Sequence, residues 1–117
     1  MELVTRRFVR PEHLNHHESL YAGCISEWVT EASFIAMAKT LGRSNGYVLA
    51  AIKEIVVTKS LYSGAILELW YAVKNIGTTS VEIAIEGRDF MTQEMQCKGT
   101  VVYVTVDEAG HAMPHGL

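Results

Sequence analysis

The stretch from Leu20 to Leu41 decides most of what this chain can become. It holds no proline and one early glycine, and Ala, Ile, Met, Phe and Leu recur along it. This pattern predicts one helix of about six turns. Ser19 is the expected N-cap. Lys39 in the last turn and Gly42 just beyond it supply the stop signals. Between Leu20 and Ala38 the only charges are Glu27 and Glu31. A surface helix carries a polar stripe. One that is apolar nearly all round is expected in the middle of the fold.

Around this helix the sequence reads as strand. Leu3 to Val9 is a short strand ended by Pro11, and Pro11 to Ser19 is a polar loop. Tyr47 to Thr58 and Ala65 to Val73 are Val/Ile-rich runs. Val81, Ile83 and Ile85 alternate with Glu82, Ala84 and Glu86, as in a strand with one wet face. Val102, Val104 and Val106 mark the last strand, and Gly87 predicts a bulge or a close approach. The connections are short, which favours antiparallel pairing. A strand, a helix and four more strands predict an α+β fold whose antiparallel sheet wraps one long central helix. Such a sheet leaves an edge strand open, and pairing of two copies along it closes the edge.

Composition narrows the function. The chain has 117 residues, the length of one domain over 1–117. With 49% hydrophobic and 20% charged residues it is expected to be ordered. A net charge of −3 argues against nucleic acid as a partner. No uncharged 18-residue apolar run predicts a membrane span, and the first residues, MELVTRR, lack an apolar signal core, so a cytoplasmic location is expected. Two cysteines, Cys24 and Cys97, make neither a disulfide framework nor a four-ligand zinc site.

The segment Val9 to Ala36, VRPEHLNHHESLYAGCISEWVTEASFIA, resembles the start of hotdog-fold acyl-CoA thioesterases, which carry N-H-x-G-x-x-F-G-G and then W-M-D-E-A on a helix. Val101 to Pro114, VVYVTVDEAGHAMP, is similar to their closing strand and its D-x-x-G turn. Val48 to Gly64 is similar in hydrophobic pattern and in its KSLYSG turn. The resemblance implies hydrolysis of an acyl-CoA thioester by a homodimer, or by a tetramer or hexamer built from it. No metal or redox cofactor is implied; coenzyme A enters as part of the substrate.

A thioester hydrolase must polarise a carbonyl and deliver a nucleophile. Free amides at a helix start supply donors and the positive dipole end. The family's paired glycines become Ala22 and Gly23 here, and close packing at a helix start is the other use of Gly23. The family's helix aspartate matches Thr30, with Glu31 following. One helical position rotates a side chain by about 100°, so Glu31 does not simply replace that aspartate. Glu31 is nonetheless the expected base or nucleophile, because a carboxylate in an apolar helix requires a role or a partner. Glu27, four residues earlier, is the second carboxylate. The structural alternatives pair Glu31 with an arginine or lysine at the dimer interface and expose Glu27 at an end of the sheet. Asn15 matches the family's loop asparagine, which positions water or thioester; a loop-capping amide is the alternative. The resemblance places the CoA phosphates around the strand turns; Lys59, Lys74 and Arg88 are the candidates by charge, and the Gly77-Thr78-Thr79 turn offers backbone donors and hydroxyls, although family members often carry arginine at the place of Thr78.

His13, His16 and His17 share a loop, with His111 and His115 near the end, a spacing unlike paired zinc ligands. Two rival functions keep the same fold. A non-catalytic acyl-CoA-binding module fits Thr30 in place of aspartate. A hotdog enoyl-CoA hydratase or dehydratase usually pairs a histidine with an Asp or Glu near this helix; the helix here has no histidine, though His16 and His17 stand just before it.

Overall fold

The computed structural model describes residues 1–117. Five strands and one long helix follow in the order β1 (Glu2–Phe8), α1 (Ala22–Leu41), β2 (Tyr47–Val57), β3 (Ile66–Ile76), β4 (Ser80–Asp89) and β5 (Met95–Thr105), with a short 3-10 turn at Pro11–His13. The strands form one antiparallel sheet in the order β1-β3-β4-β5-β2. The helix packs on one face of it, against β3, β4 and β5. Beneath it lie Leu67 and Leu69, Val81, Ile83 and Ile85, and Cys97, Val101 and Tyr103, all buried. The α+β expectation of one antiparallel sheet against one long helix holds.

Sequence chemistry explains how the helix ends. Gly42 takes the left-handed conformation at φ 76° and its N–H bonds Ala38 O, closing the helix where a Cβ would be strained. The start differs from expectation. The N-cap is Tyr21, extended and without a side-chain cap bond, and the helix begins at Ala22. Ser19 is drawn off by the preceding loop, where its carbonyl receives the Asn15 N–H and Leu14 bridges Leu20.

The helix is also not enclosed. Ile25, Trp28, Val29, Ala32, Ser33, Ala36 and Met37 are buried, the repeat of a single stripe. Gly23, Glu27, Glu31, Phe34 and Ile35 stay exposed, because one sheet covers only one side of a helix. Phe34 is 41% exposed, and on β2, whose Tyr47 packs against it, Leu49 and Ile52 are 42% and 45% exposed. The edge strand β2 carries two register shifts, between Leu49 and Ala51 and between Ile52 and Glu54.

Two other expectations sharpen. At Gly87 both readings apply. The register shifts between Gly87 and Arg88, and an ideal Cβ at Gly87 would overlap Cys97 Sγ and lie 3.1 Å from Leu67 Cδ1. The outer face of β4 is not simply wet. Glu82 is buried there, its carboxylate receiving Asn75 Nδ2 at 2.5 Å and Lys53 Nζ at 2.7 Å. β5 begins at Met95, well before the Val102–Val106 run, since the small Gly99 and the alternating Cys97 and Val101 continue the inner face. No helix is long and apolar enough to cross a membrane.

Candidate active site

The amides that open the helix are the first element of the site. Tyr21 N–H bonds His13 O, and Cys24 and Ile25 N–H bond Tyr21 O. The amides of Ala22 and Gly23, between them, donate to no acceptor in the chain. The extended Tyr21 (φ −64°, ψ 134°) brings no capping side chain to them, so two N–H groups and the positive end of a 20-residue helix face outward together. The ring of Tyr21 lies along Gly23, where a Cβ would overlap it. Gly23 therefore serves close packing as well as offering a donor.

Asn15 borders this end. Its Oδ1 accepts from His17 N at 2.8 Å, Ser19 N at 3.3 Å and Ser19 Oγ at 3.4 Å, which closes the 15–19 loop. Its amide nitrogen makes no bond within the chain. A cleft of about 450 Å³ opens beside it, lined by Leu14, His17, Glu18, Tyr62 and Ser63.

Along the helix the side chains separate. Thr30 Oγ1 donates to Ser26 O at 2.7 Å. Its flank faces β5, where the hydroxyls of Ser33 and Tyr103 share a bond at 2.8 Å and Tyr103 OH reaches Thr30 O at 3.5 Å. Burial pushes the Tyr103 phenol above its ordinary pKa. Phe34 packs on Tyr47 at 4.9 Å between centroids. Glu31 turns the other way and accepts from Arg7 Nη1 at 3.0 Å. Arg7 itself lies over the Trp28 ring at 4.7 Å. Glu27 is exposed and makes no ion pair. Neither Arg7 nor Tyr21 was singled out in the sequence; nothing in the spacing of β1 marks a partner for a helix 24 positions away.

The residues expected at the CoA phosphates do not meet within one chain. Lys59 pairs with Glu94 at the end of the sheet that holds the helix start. Lys74 and the Gly77-Thr78-Thr79 turn lie at the opposite end. There Gly77 N–H bonds Ser80 O, and Thr79 O receives Thr105 N–H. Arg88 lies on the outer face, bonded to Glu86 at 2.8 Å and stacked over Trp70 at 4.8 Å. The histidines are dispersed. His13 meets the Trp28 ring edge-on at 5.1 Å, His16 and His17 stack at 4.0 Å, and His111 faces Asp107 at 3.8 Å. No group of three His, Cys, Asp or Glu side chains is placed to hold a metal.

No protein-family model matches the sequence, and no curated protein matches it. Solved structures do. An apo hexameric acyl-CoA thioesterase is 25% identical over 94% of this chain and 72% of its own, with a TM-score of 0.84. A hexameric hotdog-fold thioesterase of Campylobacter jejuni is 20% identical over 97% of this chain and 90% of its own, with a TM-score of 0.81. The chain has the hotdog fold. The acyl-CoA hydrolase of Staphylococcus aureus, solved with butyryl-CoA, CoA and CoA disulfide, is 24% identical over 94% of this chain at a TM-score of 0.85. The hotdog chain spans about two thirds of that enzyme's length (66%). Variants of the Staphylococcus enzyme with one aspartate or one asparagine replaced by alanine match too.

Proposed function

We propose that this hotdog protein hydrolyses acyl-CoA thioesters to a free acid and CoA. The observation that carries the reading is the pair of unpartnered amides at Ala22 and Gly23. Donors fixed before the reaction stabilise a developing oxyanion by about 3 kcal/mol each, because they need not reorganise. The thioester oxygen binds there, the free amide nitrogen of Asn15 holds the thioester or water, and a carboxylate of the helix takes the proton of the attacking water. Thr30 stands where related enzymes carry aspartate and contributes only its hydroxyl.

The site is completed by a second copy. The open seam of Phe34, Leu49 and Ile52 adjoins the unpaired edge of β2. Pairing β2 with itself antiparallel, about a two-fold axis normal to the sheet, keeps both helices on one face and buries that seam. It also sets the Lys74 and Gly77-Thr78-Thr79 end of one copy beside the helix start and Lys59 of the other. CoA phosphates then bind across the two chains. Arg88, on the outer face, reaches CoA only where assembly beyond the dimer brings another copy to that face.

Thiol release from short, long and aromatic acyl-CoAs tests the reading. Turnover of any of them supports it. Tight binding of acyl-CoA without turnover supports instead the non-catalytic binding module, which the threonine at position 30 favours. Hydration of a 2-enoyl-CoA without thiol release would point to the hydratase.

A further inference from the structure

We infer that Glu27, and not Glu31, is the carboxylate that acts on the thioester; the assignment rests on the hydrolase reading and deepens it. Around the helix, at about 100° per residue, Glu27 and Glu31 lie on the same side of Thr30, about 60° and about 100° from it and about 40° from each other, and Glu27 falls within about 20° of Phe34 while Glu31 is turned further from it. The Thr30 flank faces β5 and β2, through Tyr103 and, one turn on, through Phe34 packed on Tyr47. This is the side of the open seam. The Glu31 flank faces β1. There its carboxylate is held by an arginine that is itself clamped over Trp28, with the two contacts at 3.0 Å and 4.7 Å. That carboxylate oxygen is already occupied by a guanidinium N–H. Thr30 is no substitute, because its hydroxyl proton is committed to Ser26 O at 2.7 Å.

Glu27 meets the remaining requirements. It is exposed and free of ion pairs and hydrogen bonds. It stands four residues after Gly23, which makes it the neighbour of the free amides on the helix surface. With the thioester oxygen on the Ala22 and Gly23 amides, its carboxylate oxygen takes one proton from water. The water oxygen bonds the carbonyl carbon, and the carbon–sulfur bond then breaks. The sulfur leaves with the electron pair and receives the proton back from Glu27. One thioester and one water give one acid and one thiol.

The test compares thiol release from acyl-CoA by wild type, Glu27→Gln, Glu27→Asp and Glu31→Gln, with circular dichroism as the check on folding. Glu27→Gln is expected to lower kcat by about 100-fold or more at nearly unchanged KM. Glu27→Asp keeps an intermediate rate, since the base survives at a shorter reach. Glu31→Gln stays within about threefold of wild type, because loss of an exposed ion pair is a small perturbation. An active wild type whose Glu27→Gln variant is equally active, or whose Glu31→Gln variant collapses while Glu27→Gln does not, overturns this assignment alone. A folded wild type that binds acyl-CoA and turns none over overturns the hydrolase reading, and the assignment with it.

Discussion

At single residues, the site makes one demand that can be tested without disturbing the fold. Ala22 is the first helical residue, its N–H is unpaired, and Tyr21 before it already has the extended conformation that a following proline requires. Ala22→Pro therefore deletes one donor and keeps the helix. Its melting temperature is expected to stay within a few degrees of wild type while kcat for acyl-CoA falls about 100-fold or more. An unchanged kcat would remove that amide from the oxyanion site. Gly87 makes the opposite demand, on packing. A methyl group there overlaps Cys97 Sγ and crowds Leu67, so Gly87→Ala should cost about 1–3 kcal/mol in a urea titration. Cys97→Ala in the same chain should recover part of that loss. Burial also pushes the Cys97 thiol up to about 11. Iodoacetamide at neutral pH is thus expected to spare Cys97 in the folded protein and to modify it after unfolding. Gly87 was legible in the sequence as a bulge or a close approach. The partner it approaches was not, because Cys97 reaches it only through the β4–β5 register.

For the elements, the helix shows how far pattern carries. Its length and its stop at Gly42 follow from local chemistry and were readable. Its start was displaced from Ser19 to Tyr21, since Asn15 and Ser19 bond each other within a loop that no cap rule includes. Its burial was overestimated. Phe34 and Ile35 satisfy an apolar pattern yet lie outside the stripe that one sheet can cover. The same gap appears on β2, whose Val48, Leu49, Ile52 and Val57 are all exposed. If two copies meet on this edge, a charge there should keep them apart. Ile52→Lys is expected to shift the sedimentation of the protein toward the monomer and to remove thiol release with it. A variant that remains associated would place the interface elsewhere.

Across the whole molecule, the sheet's outer face is held by buried carboxylates rather than by a second layer. The amide of Gln93, at 2.7 Å, and then Arg6, at 2.8 Å, keep the Glu68 carboxyl below its ordinary pKa. Asn75 and then Lys53 do the same for Glu82. A depressed carboxyl contributes stability that is full above its unfolded pKa and is lost as pH falls through the folded value. The urea midpoint of wild type is therefore expected to fall between about pH 5 and about pH 3, and to fall less in Glu68→Gln and Glu82→Gln. Equal acid sensitivity in all three proteins would show that other groups govern the loss. The sequence by itself determined the element order, the antiparallel pairing, the helix stop and the residue types at the site, because propensity, turn chemistry and period-two or helical patterning act over a few neighbouring residues. Only the tertiary structure decided that Glu31 belongs to Arg7, that Asn15 spends its carbonyl on its own loop, that the Ala22 and Gly23 amides stay free, and that Lys59 and Lys74 stand at opposite ends of the sheet. Each of these depends on which distant strand a side chain meets, and that is fixed by sheet order and register rather than by spacing along the chain.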